Sequence, residues 1–420
     1  METIKTKKVK KFNPKSLIVT IDIGKETHYG YFRAPDGTEV KPFAFHTTRT
    51  SFDTFYYKMQ RFADSQGAEE IVIGFESTGP YAEPFFHYLK DKPVKLVQIN
   101  PMHTKRIKEL TGNSPNKTDR KDPRVIADVI TLGHVLTLVI PQKHAAQLRR
   151  LSQARQRLIK KCTAASNQLN ALVYSLFPEL SSIFKDITCK SALYVLRHHP
   201  LPSDIIAVDR DALTRVLKKI SRGRIGTQRT NALVDAASRS VGIQEGCEAM
   251  AMEIGLLIEE IDRNHHFIEQ LEDQMEEELK EIPYSGSILS IKGLGIVTVA
   301  GLIGEVGDFG QFKTISEITK LAGLDLYEIS SGKQTNGRRR ISKRGRPLMR
   351  KLLFFAAINT IRRGGIMHDT YHQMLKRGMV KIKAVTAVSR KLLALIFALV
   401  RDNSVYVDNY HRNHEFKRAA

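Results

Sequence analysis

The chain has 420 residues, too many for one ordinary core and enough for two or three domains at roughly 100 to 200 residues each. Its 66 Lys and Arg against 44 Asp and Glu leave a formal charge of +22, a surplus that repels itself unless a polyanion neutralises it, so nucleic acid is the leading partner. Three widely spaced cysteines, Cys162, Cys189 and Cys247, speak against a disulfide framework and a zinc knuckle and fit a reducing cytosol.

The lysine-rich opening, Met1 to Ser16, meets only a short apolar run before Asp22, so no export signal is expected. From Leu17 to Gly24 the run LIVTIDIG reads as a strand; Tyr29 to Arg33, then Pro35-Asp36-Gly37, then Val40 to Phe45 read as a hairpin. Phe52, Phe55, Tyr56, Met59 and Phe62 recur at helical spacing, and Ile71 to Phe75 is a buried-strand run. A helix over Pro80 to Lys90, a strand over Lys95 to Ile99 and a helix beginning near Asp119 complete the order βββαβαβα. That order predicts a ribonuclease H-like domain, a mixed sheet with helices on its faces.

Beyond Pro141 the pattern becomes helical throughout. Leu148, Leu151, Leu158, Cys162, Ala165, Leu169, Leu172 and Leu176 form a narrow apolar seam interrupted by Arg155. Met250, Ile254, Leu257, Ile261, Asn264, Ile268, Leu271 and Met275 form a second, in which the polar Asn264 is a register-fixing residue. Pairing within one chain and pairing between chains are both open. Between the seams, Leu213, Val216, Leu217 and Ile220 mark a shorter helix followed by Arg222, Arg224 and Arg229, a segment with no readable role. After Pro283 the stretch Ile288 to Ala300 holds Gly293-Leu294-Gly295 between two apolar helices, the pattern of a helix-hairpin-helix whose glycines let backbone amides approach a DNA phosphate. Lys292 beside that turn is a candidate contact. The run Leu392 to Val400 falls well short of the ~20 residues that span a bilayer and reads as a buried helix. These signals divide the chain into a basic tail (1–16), an acidic α/β domain (17–142), a helical coiled-coil region with an insertion (143–280), a mostly helical domain (281–402) and a second tail (403–420).

Four acids stand out by position. Asp22 lies in the first strand, Glu76 ends the strand Ile71 to Phe75, and Asp119 and Asp122 stand at i and i+3 on the following helix. Converging carboxylates are what hard Mg²⁺ prefers at a phosphoryl-transfer site, and a ribonuclease H-like sheet puts its first strand beside the Glu strand. At these residues the sequence resembles the DEDD transposases of insertion sequences: IDIG at Ile21, FESTG at Phe75 and NKTDRKD at Asn116 match that family's acidic motifs. The resemblance implies that Asp22, Glu76, Asp119 and Asp122 are the catalytic tetrad of a RuvC-like domain that binds Mg²⁺ or Mn²⁺.

The segment Ala322 to Leu353 resembles the family's second conserved block, a Gly-Leu, then a Ser-Gly, then a hydrophobic-Ser-Lys-x-Gly sequence before a basic helix. On that match the nucleophile is Ser331, not its neighbour Ser330; Leu326 departs from the family, where many relatives carry proline. Residues 338 to 351 hold eight Lys or Arg in fourteen, including Arg338, Arg339, Arg340, Lys343, Arg344 and Arg346, enough to grip several phosphates. Lysines of Lys5 to Lys15 and of Lys381 to Lys391 are further candidate backbone contacts, with a solvated charged face as the alternative.

The resemblance implies a serine transposase: a recombinase that cuts and rejoins donor and target DNA through a phosphoserine. It also implies guidance by a structured non-coding RNA of the same element, and a homo-oligomer, dimer or tetramer, with a composite site built from two subunits. A cytoplasmic, nucleoid-associated protein without membrane contact is expected. A metal-dependent junction endonuclease using water as nucleophile is the rival reading, and it needs the four acids but not Ser331.

Overall fold

A computed structural model of the protein describes residues 12–76, 79–111, 122–133, 135–327 and 339–408. It divides into two compact units, Met1–Val139 and Ile140–Ala420.

The first unit is built on a six-stranded sheet. Strands β1 (Ser16–Asp22), β2 (Thr27–Arg33) and β3 (Glu39–His46) form an antiparallel meander. Its second turn is made at Gly37, whose φ of +91° favours glycine. Helix α1 (Arg49–Ser65) starts where the Thr48 hydroxyl accepts the Ser51 amide, and the chain returns as β4 (Glu70–Glu76) parallel to β1. A 3₁₀ turn (Gly79–Ala82) and α2 (Glu83–Leu89) lead to β5 (Lys95–Ile99), parallel to β4. Helices α3 (Pro101–Thr111) and α4 (Asp122–Thr131) follow, and β6 (Val135–Thr137) closes the order β3-β2-β1-β4-β5-β6. The sheet is therefore mixed, as expected, but α3 and β6 go beyond the expected order.

Central strands are covered on both faces, which is why β1 and β4 read as nearly unbroken apolar runs. The period of two sends Leu17, Val19, Ile21, Ile73 and Phe75 to the core under α1 and α2. The alternate residues Ile18 and Val72 face Ile126, Val129 and Ile130 of α4. Gly74 is required there, since a Cβ would lie 2.3 Å from the Ile130 side chain.

Among the described residues the second unit is helical apart from one two-stranded ribbon. Helix α5 (Lys143–Leu176) is followed by α6 (Leu180–Ile183), α7 (Lys190–His198), α8 (Pro202–Ala207), α9 (Arg210–Ile220), α10 (Thr227–Ser238) and α11 (Cys247–Lys280). The two seams meet within one chain: His144 Nδ1 lies 2.8 Å from Glu278 and Arg155 Nε 2.6 Å from Glu272, a reversed numbering that makes the pair antiparallel. Arg155, which breaks the seam in sequence, is thus matched across it. Asn264 is buried on α11 with its amide 3.5 Å from Glu260. Helices α7 to α10 pack on the end of this hairpin through Val195, Ile205, Leu213, Leu217 and Leu233.

Then come α12 (Ser285–Leu289), α13 (Ile296–Val306), α14 (Ile315–Ala322), the ribbon β7 (Leu326–Tyr327) with β8 (Arg340–Ile341), α15 (Pro347–Thr360), α16 (His368–Lys376) and α17 (Lys381–Arg401). Helix α13 crosses α5 at backbone distance: a Cβ at Gly304 would sit 2.5 Å from the Arg149 amide nitrogen. Leu392, Leu393 and Ile396 of α17 are buried in the same core. Among the described residues no helix is long and apolar enough to cross a membrane.

Candidate active site

Asp22 and Glu76 sit at strand ends, and the backbone of Asp122 begins a helix. The parallel register of β1 and β4 runs from Ser16 opposite Glu70 to Ile21 opposite Phe75, so Asp22 and Glu76 are the next pair, both at the carboxyl ends of their strands. Neighbouring strands lie about 4.8 Å apart, and matched positions of a parallel pair point to one face. For Asp22 and Glu76 that is the face of Thr20 and Gly74, over which α4 lies. Tyr29 of β2 stands across from Asp22.

Helix α4 is tied down near its start. The buried Thr20 hydroxyl donates to the Pro123 carbonyl at 2.6 Å, and Asp122, the first residue of α4, precedes that carbonyl by one position. Further along, Arg33 of β2 donates to Asp128 at 2.7 Å and also meets Glu39 at 3.0 Å. Asp128 thereby tethers α4 to the sheet. Asp36, in the Pro35-Asp36-Gly37 turn, accepts the Thr38 amide at 2.9 Å, which holds its carboxyl below the usual range. Asp22, Glu76 and the backbone of Asp122 are therefore brought to one end of one sheet face. Asp119 lies outside the described residues. Among the described residues no group of three or more His, Cys, Asp or Glu side chains is placed to hold a metal ion.

The serine block is framed by its flanks. Ser331 and Arg338 lie outside the described residues, while the chain on either side is paired, Leu326 with Ile341 and Tyr327 with Arg340. Below that ribbon the backbone is closely locked. Gly323, with φ +65°, caps α14, and the amides of Ser342 and Lys343 donate to Asp325 and Gly323 at 2.8 and 3.0 Å. The Ser342 hydroxyl bonds the Asp325 carboxylate, and Arg350 donates to the Ala322 carbonyl at 2.9 Å. No side chain fits at Gly345, where a Cβ would lie 2.3 Å from the Leu321 carbonyl oxygen.

The cations of this region differ in what they face. Arg339, Arg340, Lys343 and Arg344 are exposed. Arg346 turns inward: it donates to the Glu305 carbonyl and lies 3.9 Å from the Glu305 carboxylate, which is only 5% exposed. Burial pulls the Arg346 guanidinium down to about 10, the nearby Arg149 charge adds to the fall, and Glu305 opposes it. Lys292, beside the Gly293 turn, pairs with Asp408 at 2.9 Å. Sequence alone did not single out Glu305; the signal was there, as the one charged residue in IVTVAGLIGEV of α13.

Comparison with known proteins bears on both halves of this arrangement. Residues 19–178 match a family model described as Transposase, and residues 286–372 match one described as Transposase IS116/IS110/IS902 family. The insertion element IS110 uncharacterized 43.6 kDa protein of Streptomyces coelicolor is 24% identical over 393 residues, covering 92% of this chain and 94% of its own. The insertion element IS900 uncharacterized 42 kDa protein of Mycobacterium paratuberculosis is 25% identical, covering 69% and 73%. A pilin gene-inverting protein of Moraxella lacunata is 28% identical over 133 residues, 31% of this chain and 41% of its own. The two model matches span the acidic motifs and the serine block in the same order, and with the relatives they assign the family: the chain belongs to the DEDD transposases of insertion elements.

Proposed function

We propose that this transposase cuts and rejoins DNA through Ser331, with Asp22, Glu76, Asp119 and Asp122 as a RuvC-like acidic site. The observation that carries the reading is the in-register pair Asp22 and Glu76 at the ends of adjacent parallel strands, beside the start of α4 at Asp122. The strand order β3-β2-β1-β4-β5 supports the ribonuclease H-like assignment of the first unit. The paired strands around residues 328–338 support a serine presented between two fixed ends.

All four acids offer hard oxygen donors, which suits a divalent ion of the Mg²⁺ or Mn²⁺ type. Such an ion supplies Lewis-acid neutralisation of phosphate charge when bound. The chain's own residues do the rest. The Ser331 hydroxyl attacks the scissile phosphorus; an Oγ–P bond forms, the bond from phosphorus to the leaving deoxyribose oxygen breaks, and the serine proton passes to a neighbouring base or water. A hydroxyl of the incoming strand then attacks the phosphoserine and restores Ser331. One phosphodiester replaces another, so the exchange needs no ATP. Arg338, Arg339, Arg340, Lys343 and Arg344, with Lys292 at a helix-hairpin-helix turn, grip the backbone, and Arg346 holds the base of the block on Glu305.

Partner choice follows the family resemblance: donor and target DNA, a structured non-coding guide RNA and further copies of the chain. The charge of +22 supports polyanion partners of either kind. The test is strand exchange on junction DNA with the element's RNA and Mg²⁺. Asp22→Asn should lower product on the order of 100-fold, as loss of electrostatic stabilisation at a reacting phosphate does, with the melting temperature unchanged. Exchange at the wild-type rate by Asp22→Asn would remove the acidic site from the mechanism.

A further inference from the structure

The segment between the two seams, which the sequence leaves without a role, carries a second cationic surface. Arg215, Lys218, Lys219, Arg222, Arg224 and Arg229 fall within fifteen residues, with no acid between Ala212 and Val234. All six are exposed, and among the described residues none has an ion-pair partner. This is not the rule in the insertion, since Arg197 of α7 is paired with Asp262 of α11. Six exposed cations in one place repel each other, and that cost is offset only when a polyanion neutralises them.

The turn that carries them is fixed rather than loose. Ile225 is 6% exposed and anchors the link between α9 and α10 to the core that holds Leu213, Leu217 and Leu233. The Ser221 hydroxyl accepts the Ile225 amide at 2.9 Å, and the Gly223 amide donates to the Lys218 carbonyl at 2.8 Å. Gly223 has φ +83°, and Arg222 before it has φ +52°, a left-handed conformation that a side-chain-bearing residue seldom adopts. Lys219, Arg222, Arg224 and Arg229 are thus held outward around one anchored isoleucine.

We infer that the α9–α10 turn grips the backbone of duplex DNA away from the reacting phosphate. The partner follows from what the surface holds and lacks. It has cations for phosphates but no aromatic residue between Arg210 and Asp235, so it offers no platform on which unpaired bases stack. The first turns of α11, which share the insertion's core through Ile254 and Leu257, disfavour the same partner, since Glu248, Glu253 and Glu259 are exposed there.

The inference rests on the DNA-recombinase reading, and its test separates the two. Full-length protein and the triple variant Lys219→Gln, Arg224→Gln, Arg229→Gln are compared for binding to a labelled DNA duplex and an RNA duplex over a salt series. Each lost phosphate contact lowers the slope of log affinity against log salt by about 0.9, so the DNA slope should fall by about 2 to 3. The Lys219→Arg, Arg224→Lys, Arg229→Lys variant should restore it, and the melting temperature should not move, since the substituted side chains are exposed. An unchanged DNA slope, or a slope lost for RNA alone, overturns the inference. If the triple variant loses slope yet wild type makes no recombinant product, the recombinase reading fails instead.

Discussion

A charged side chain means different things according to what it faces, and Arg344 and Arg346 show the difference two residues apart. Arg344 is exposed, whereas Arg346 is committed to the buried Glu305. Removing one member of a buried ion pair strands the other, at about 3 kcal/mol or more, while an exposed cation contributes little to stability. Arg346→Ala should therefore lower the melting temperature by several degrees, and Arg344→Gln should leave it unchanged while weakening DNA binding; equal melting of the two would contradict the assignment. Composition and spacing could not separate these arginines, because a run such as GRRRISKRGR records charge and not direction. His28 is a second residue whose behaviour follows from burial. Its Nε2 lies 2.9 Å from Thr47 Oγ1, among Phe45, Phe52 and Phe85, and burial first, then the neighbouring His46, pushes the imidazole below its usual 6.5. The folded chain thus resists a proton that the unfolded chain accepts. The stability this contributes is complete above pH about 6.5 and is lost as pH falls through the depressed folded value. Melting temperature should fall between about pH 7 and pH 5, and His28→Gln should flatten that fall; an identical pH profile in the variant would assign the loss to other groups.

At the scale of elements, the placement of the acids depends on how α4 is seated. Thr20 donates to the Pro123 carbonyl inside the first turn of that helix. Thr20→Val keeps the shape and leaves the carbonyl without its donor in a buried place, a cost of about 1 to 3 kcal/mol. Faster hydrogen exchange in the α4 amides, with those of α1 unchanged, is the expected result; unaltered exchange would show that other contacts hold α4. The strands were legible because β1 and β4 are central and must be apolar on both faces, and because Pro35-Asp36-Gly37 is a turn signal. Two elements were not. The start of α3 is signed by Asn100, whose side chain accepts the Met102 amide at 3.0 Å, and by Pro101 at its first position, but its lysines and histidine mask any apolar face. The three residues of β6 are too few to show a period. The seams were legible as seams, but periodicity is the same for a hairpin and a dimer. What settles their pairing within the chain is His144 against Glu278 and Arg155 against Glu272, contacts that join residues 134 and 117 positions apart.

For the whole molecule, two observations converge on one activity. An acidic sheet end and a basic block with tightly braced flanks are parts of one chain of net charge +22, and both lie within the regions that match transposase models. The acidic motifs and the serine block were read from their resemblance to a family, and both segments fall within the stretches that match transposase models. The surface of α9 and α10 was not legible, because its meaning depends on Ile225 holding the turn in place. The central claim is that Ser331 becomes bonded to DNA. The most direct measurement is to incubate the protein with its element's RNA, junction DNA and Mg²⁺, denature, and identify by mass spectrometry the residue that carries nucleotide. The account predicts an adduct on Ser331 that is absent from Ser331→Ala and Asp22→Asn. Cleavage without any adduct, retained in Ser331→Ala, would contradict it and assign the reaction to water at the acidic site.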